Sequence, residues 1–380
     1  MKKEKLLMTP GPTMVPSTVL MAEGEPMIHH RTPEYSEIFK KLNENLKTVF
    51  QTKNHVITFP ASGTGGLEAS VVNFFSPGDK VLCVSIGLFG ERVATIAQNF
   101  GLDVDKLSVT LGEAVDPKIL EMTLDKEDYK GLFVTHNETS TGATNDIETI
   151  GKIAKKRDVL LLVDAVSSLG GIDIQTDAWG LDVVVTASQK ALMSPPGLAF
   201  ISVSEKAWEM AKKSKMPKFY WDILKARESL EKASPQNPYT PAVSLIRACN
   251  KALEMIIEEG LQEVFNRHYK LAKATQTAVT ALGLEFFTAS SARSNVITSI
   301  TMPEGIDGDK VKKIMSEKYD VIVAGGQGDL KGKLIRIGHM GYVNHGDIIQ
   351  TIAALEKAMI EVGYTVEIGS GVKAALEILG

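Results

Sequence analysis

Val159-Leu160-Leu161-Leu162-Val163, followed at once by Asp164-Ala165-Val166-Ser167-Ser168, decides how this chain folds. Five apolar residues in an unbroken run, with no polar residue between them, read as a strand buried on both faces. Similar short runs lie on either side: Val56 to Phe59, Lys80 to Val84, Leu132 to Val134 and Val183 to Val185. Between them stand helical stretches, Leu67 to Phe75, Glu91 to Phe100 and Ile147 to Lys156. This alternation predicts βαβ crossovers and a mainly parallel sheet covered by helices on both faces. Ala199 to Val203 adds one more strand, expected at the end of the sheet.

From Glu205 to Leu282 the pattern turns helical, with Val243, Ile246, Leu253, Ile256 and Ile257 at helical spacing and Gly260 as a stop. After Gly283 short strands return at Leu284 to Phe287, Val296 to Thr301, Val321 to Val323 and Leu334 to Arg336, with helices over Asp309 to Lys318 and Asp347 to Glu361. The expected fold class is therefore α/β: a large domain over 20–258 and a smaller α+β C-terminal domain over 259–380. The N-terminal segment 1–19 is expected to cross to the cleft and join the smaller domain.

Composition narrows the function. The 380 residues carry a net charge of −4, too neutral for a dedicated nucleic-acid binder. The longest apolar run falls far short of the roughly 20 residues of a membrane span. The run Leu6-Leu7-Met8 is too short for a signal-peptide core, and no C-terminal lipidation signal is seen. Two cysteines, Cys83 and Cys249, sit in apolar runs and read as buried free thiols in a reducing compartment, most simply the cytoplasm. No metal is expected: His29-His30 has no third ligand at a suitable spacing. Lys312-Lys313 reads as a solvated helix face.

Three segments carry chemistry. Ala61-Ser62-Gly63-Thr64-Gly65-Gly66 follows a strand and opens a helix, so its N–H groups can meet an anion. It lacks the Gly-x-Gly-x-x-Gly of a dinucleotide fold, and Gln327 and Leu334 break a P-loop at Gly332-Lys333. Asp164 ends a buried strand, where a carboxylate is costly unless paired, although a helix N-cap is the plainer alternative. Lys190 follows the next strand, with Pro195-Pro196-Gly197 behind it, and one αβ unit separates it from Asp164, so both can reach the same crevice. Lysine, aspartate and an anion cradle at neighbouring strand ends match the needs of pyridoxal phosphate: a Schiff base, a partner for the protonated pyridine nitrogen and a phosphate site.

On these residues the chain resembles the class V aminotransferases of the fold-type-I pyridoxal-phosphate enzymes, the aspartate-aminotransferase-like fold, and within them the alanine–glyoxylate and serine–pyruvate aminotransferases. The resemblance rests on Thr9-Pro10-Gly11-Pro12, His136-Asn137-Glu138-Thr139-Ser140-Thr141-Gly142, Val163 to Gly171, Ser188-Gln189-Lys190-Ala191-Leu192 and Leu334-Ile335-Arg336-Ile337-Gly338. It implies transamination through an internal aldimine on Lys190, with pyridoxal 5'-phosphate as cofactor and Asp164 at the pyridine nitrogen. It implies cofactor contacts from Ser62, Gly63, Thr64, Thr139, Ser140, Val166 and Gln189, with Thr141 an alternative to Ser140 at the ring hydroxyl. Phe89 stands where relatives often stack a tryptophan on the ring, and Thr64 where some carry histidine. Gly11, Ser140 and Arg336 would meet the substrate, Arg336 gripping its α-carboxylate. Asn237 and Thr240 would reach the phosphate of a partner subunit, which implies a homodimer.

A single carboxylate grip suits alanine or serine as donor and glyoxylate or pyruvate as acceptor. Aspartate is the rival donor if Arg31, Arg92 or Arg293 binds a second carboxylate. A cysteine desulfurase-type lyase needs a mobile, exposed thiol, which neither Cys83 in a strand nor Cys249 in a helix provides. A non-catalytic relative is disfavoured by the presence of Lys190, Asp164 and Arg336, and a nicotinamide dehydrogenase by the missing glycine fingerprint.

Overall fold

The computed structural model describes residues 4–380. Its strands are β1 (Leu6–Met8), β2 (His55–Phe59), β3 (Lys80–Ser85), β4 (Asp103–Ser108), β5 (Gly131–Thr135), β6 (Asn137–Glu138), β7 (Ala143–Thr144), β8 (Leu160–Asp164), β9 (Val183–Ala187), β10 (Ala199–Val203), β11 (Glu285–Phe286), β12 (Ile297–Thr301), β13 (Val321–Gly325) and β14 (Leu334–Gly338). Seven of them form one sheet in the order β2-β10-β9-β8-β5-β3-β4. The pairs from β9 through β4 are parallel, and β10 is antiparallel to both β9 and β2. Six strands therefore run one way, and their carboxyl ends at Phe59, Ser85, Ser108, Thr135, Asp164 and Ala187 share one edge.

Alternation along each strand feeds two cores. Leu82, Val84, Leu132, Val134, Leu161 and Val163 point to one face, against Leu42 and Leu46 of the helix Pro33–Val49 and Ile246 and Leu253 of the helix Val243–Glu259. Val81, Cys83, Phe133, Leu160, Leu162 and Val183 point to the other, against Leu67 and Val71 of the helix Gly63–Phe74 and Val93 of the helix Leu88–Asn99. Burial on both faces is why β5, β8 and β9 are apolar throughout. Each fully buried Leu, Val or Phe contributes about 1.5–3 kcal/mol relative to exposure.

Two features of this sheet differ from the sequence reading. Ala199–Val203 is not at the end but second in order, flanked by β2 and β9, which is why all five of its residues are buried. The edge opposite β2 is β4, whose polar Asp-Val-Asp-Lys-Leu-Ser carries no apolar run. Its register beside β3 brings Lys80 opposite Asp103, and Lys80 Nζ lies 3.3 Å from Asp103 and 3.2 Å from Asp105.

A second sheet has the order β1-β13-β14-β12-β11. Here β1, from near the N-terminus, pairs in parallel with β13, Leu6 opposite Val321 and Met8 opposite Val323. Its core joins Met8, Ile300, Val323, Ile335 and Ile337 to Leu271 and Ala278 of the helix Leu261–Ala281 and to Ile352 and Leu355 of the helix His345–Glu361. Asn344 begins that last helix with a reciprocal capping box to Asp347. The short hairpin β6–β7 leaves the end of β5 and, through Thr141 and Gly142, meets the second sheet, where Thr288 Oγ1 donates to Thr141 O at 2.6 Å.

Among the described residues, no helix is long and apolar enough to cross a membrane. No group of three or more His, Cys, Asp or Glu is gathered there in a way that could hold a metal ion.

Candidate active site

The ends of β2, β3, β5, β8 and β9 deliver side chains, a hairpin and helix starts to the same edge. Asp164 is the last residue of β8, opposite Thr135 of β5 and Val185 of β9, and is 3 % exposed. Its Oδ1 accepts the N–H of Val166 at 2.9 Å. Burial pushes its carboxyl up to about 6; the Val166 N–H opposes this, the Glu138 charge adds to it, and the charges of Lys190 and Arg92 oppose it. A buried carboxylate that is so short of donors calls for a proton or a cation.

Lys190 lies three residues beyond β9. Its Nζ donates to the carbonyl of Pro10 at 2.5 Å. Burial draws the amine down to about 8; Asp164 opposes, while Arg336 and Arg92 pull the same way. The strap that carries Pro10 is tied down beyond it, because Thr13 N donates to Gln189 O at 3.2 Å and Thr13 Oγ1 to Lys190 O at 2.9 Å. Gly11 has φ +113°, and a Cβ there would lie 2.4 Å from Lys190 Cδ. Only glycine lets the strap lie on the lysine stem.

Arg336 is 4 % exposed in the middle of β14. Nε and Nη2 donate to Gly325 O at 2.9 and 2.7 Å, and Nη1 donates to Thr139 O at 2.6 Å. Three of the five guanidinium N–H groups are thus used, leaving one on each terminal nitrogen. That pair is the end-on fork that takes a carboxylate bidentately. Burial lowers this guanidinium to about 10, against the Glu138 charge.

Among the remaining predicted residues, Ser140 is bound to the helix start that carries Phe89, and Gly63 packs on Val166. Ser140 Oγ accepts the N–H of Leu88 at 3.1 Å and donates to Glu138 Oε1 at 2.6 Å. Glu138 Oε2 accepts the N–H groups of Phe89 and Gly90, at 3.0 and 3.2 Å, and so fixes the helix start that carries the Phe89 ring. Gly63 packs against Val166, whose Cγ2 would be 2.5 Å from a Cβ at 63. Ser62 is exposed at the N-cap of the helix Gly63–Phe74 without capping it through its side chain. The first backbone N–H bonded inside that helix is Gly66's, to Ser62 O, so those of Gly63, Thr64 and Gly65 point outward. Gln189 Oε1 is buried with no partner. Asn237 and Thr240 stand apart from this set, on a cavity beside Thr58, Phe59 and Pro60, where Tyr35 Oη donates to Asn237 Oδ1.

Glu138 stands within the motif His136 to Gly142, where nothing in the sequence marks its role. It is fully buried and binds Phe89, Gly90 and Ser140 at once. The only signal was a glutamate in a run of short polar residues with no helical period. Cys83 and Cys249 are buried in different cores, and burial raises both thiols to about 12.

A lysine, a buried aspartate and an arginine fork, drawn from two sheets onto the carboxyl edge of a mainly parallel one, define a fold-type-I aminotransferase that handles amino and oxo acids. The chain belongs to the class-V aminotransferase family, whose model matches residues 6–340. It is 37% identical over 384 residues to an L-aspartate–glyoxylate aminotransferase of Paracoccus denitrificans, covering 99% of this chain and 96% of that protein. A solved alanine–glyoxylate aminotransferase of Nostoc superposes with a TM-score of 0.91 at 31% identity, covering 94% of this chain and 96% of that one. A Synechococcus protein named soluble hydrogenase, small subunit, is 42% identical over 384 residues, covering 100% of this chain and 99% of that protein. This chain's two separate, buried cysteines offer no thiolate cluster of the kind that binds iron–sulfur or nickel centres.

Proposed function

We propose that the protein exchanges an amino group between a small amino acid, alanine or serine, and glyoxylate or pyruvate, with pyridoxal 5'-phosphate as cofactor. The observation that carries this is the convergence of an amine lowered to about 8, a buried aspartate short of donors, and an arginine with exactly one end of its fork free. The residues fit the group: outward N–H groups and the hydroxyls of Ser62 and Thr64 suit a phosphate, and the unpartnered Gln189 Oε1 and the Asp164 carboxylate suit a ring with protonated positions. Phe89, on a helix start held by Glu138, and Val166, packed on Gly63, would offer the ring apolar surface. Thr139, whose carbonyl binds Arg336, and its neighbour Ser140 would lie between the ring and the substrate carboxylate.

When bound, the cofactor supplies a carbonyl for the substrate amine and an electron-poor ring that takes up charge from the α-carbon. The rest falls to the chain. Arg336 holds the α-carboxylate by its two free N–H groups and so fixes which α-carbon bond faces Lys190. Lys190, poised near neutrality, would take the α-proton and return it across the nitrogen, to the carbon of the cofactor's former carbonyl. The Pro10 carbonyl holds the amine whenever it is free, and Asp164 keeps the ring nitrogen protonated. We propose that 20–258 holds the cofactor, that 259–380 with the N-terminal segment brings Arg336, and that a cytoplasmic homodimer places Asn237 and Thr240 at the partner's phosphate.

Aspartate is the second reading, supported by the Paracoccus relative's name. Against it, Arg31 is spent on Gln236, Asn237 and Pro238 of its own chain. Titrating the cofactor-loaded enzyme with alanine, serine and aspartate ranks the donors by the loss of the visible cofactor band. Faster conversion by alanine or serine than by aspartate is expected; a clear preference for aspartate overturns the assignment.

A further inference from the structure

Arg31, Arg92 and Arg293 were the three arginines open to a second anion, and their surroundings separate them. Arg31 donates to Gln236 Oε1 at 2.8 Å and to the carbonyls of Asn237 and Pro238 at 2.7 and 3.1 Å. Arg293 lies 3.7 Å from the centre of the Phe286 ring. Arg92, in the first turns of the helix Leu88–Asn99, has its guanidinium 4.5 Å from the centre of the Phe89 ring. Its Nη1 donates to Thr64 Oγ1 at 3.2 Å, so it bridges to the start of the neighbouring helix Gly63–Phe74. It is exposed, and the adjacent carboxylate, Glu91, is taken by Lys106 at 2.9 Å. Thr64 adjoins Gly63, which packs on Val166 two residues beyond Asp164, and this puts Arg92 on the same cleft.

We infer that Arg92 binds the cofactor's phosphate, closing the anion site that the first turn at Gly63, Thr64 and Gly65 leaves open, and that it does not serve a distal carboxylate of the substrate. This rests on the reading of the Lys190 cleft as a pyridoxal-phosphate site. A helix N-terminus offers about half a positive charge, and its N–H groups and hydroxyls are neutral. A phosphate dianion held by them alone would keep most of its charge uncompensated. Lys190 is committed to the carbonyl chemistry, and Arg336 is fixed to Gly325 and Thr139. Arg92 spends one of five N–H groups on Thr64, and the remaining donors can share the anion with the backbone N–H groups beside that hydroxyl. The Phe89 ring restrains the guanidinium in place, so little side-chain freedom is lost on binding. One residue pair thereby couples the two ends of the cofactor: Phe89 against the ring, Arg92 at the phosphate.

The test titrates cofactor-free protein with pyridoxal phosphate and, separately, with pyridoxal, which lacks the phosphate, following the absorbance of the bound ligand in wild type, Arg92→Ala and Arg92→Lys. Arg92→Ala is expected to weaken pyridoxal phosphate by roughly ten- to a hundredfold, the range for losing hydrogen bonds to a charged group, and to leave pyridoxal within about twofold. Arg92→Lys, which keeps the charge, is expected to recover part of the loss. If alanine lowers the melting temperature of the free protein, Arg92→Gln supplies the same comparison. An unchanged affinity for pyridoxal phosphate overturns the inference, as does an equal loss for both ligands. Loss of aspartate turnover alone, with cofactor affinity intact, overturns it in favour of a substrate role. A wild-type protein that takes up neither ligand overturns the cofactor reading itself, a result distinct from the others.

Discussion

Replacing Arg336 by lysine separates charge from geometry. The guanidinium keeps two N–H groups for a carboxylate after its three bonds to Gly325 and Thr139. Lysine keeps a positive charge but offers a single point instead of a fork, so one of two charge-assisted bonds is lost. At about 1.5–3 kcal/mol for a bond to a charged group, kcat/KM for alanine should fall by roughly ten- to a hundredfold. Arg336→Ala should lose both bonds, about 3–6 kcal/mol, or roughly 10² to 10⁴ in kcat/KM. Either change also frees buried carbonyls at Gly325 and Thr139, so some loss of stability is expected as well. A comparison that cancels such structural damage uses single-turnover rates for alanine and for ethylamine, which lacks the carboxylate. Wild type should strongly prefer alanine, Arg336→Ala should lose most of that preference, and Arg336→Lys should fall between. If the preference for alanine survives in Arg336→Ala, Arg336 does not hold the carboxylate and the substrate orientation is wrong.

Further perturbations probe other parts of the cleft. Asp164→Asn removes the carboxylate that opposes the lowering of Lys190, so the Lys190 amine should titrate further below about 8, measurable from the pH dependence of its acylation rate in the cofactor-free protein; an upward shift would contradict the electrostatics. Gly11→Ala forces a Cβ onto the Lys190 stem at a φ that alanine rarely adopts, and should cost more than tenfold in activity while circular dichroism stays native; unchanged activity would show that the strap does not constrain Lys190. Burial lowers His268 to about 3 and His136 and His339 to about 4. Unfolded histidines bind protons from about pH 6.5 downward, so the stability these three give is present above that pH and is lost as pH falls through 6.5 toward 4. Asp164, raised to about 6, acts in the opposite sense over part of that range. With a net excess of about two protons in the unfolded state, urea stability should drop by about 2–3 kcal/mol per pH unit between pH 6 and 5; a flat profile would mean the histidines are not held neutral.

Much of this was legible because burial leaves a composition signature. β5, β8 and β9 are apolar throughout since both of their faces are covered, and Asp164 stood out because a carboxylate ends such a run. Lys190 became readable through its spacing from Asp164. β4 was invisible, since an edge strand of Asp103-Val104-Asp105-Lys106-Leu107-Ser108 needs no apolar run when one side is solvent. β10 showed as a strand, but its place in the sheet depends on which neighbours it meets, and antiparallel insertion between β2 and β9 leaves no local mark. Glu138 and Arg92 were present in quoted stretches, yet their partners lie far away in sequence: Phe89 is 49 residues from Glu138, and Thr64 is 28 residues from Arg92. Sequence reading finds residues whose environment is local; it does not find bonds that close only when distant strands come together.

The account depends most on Lys190 being the lysine to which the cofactor attaches. Reducing the pyridoxal-phosphate-loaded protein with borohydride and mapping the peptides by mass spectrometry tests this directly. A single added phosphopyridoxyl mass on the peptide containing Lys190, absent from the same peptide of Lys190→Ala, is the predicted result. Label on a different lysine, or none after loading, would contradict it.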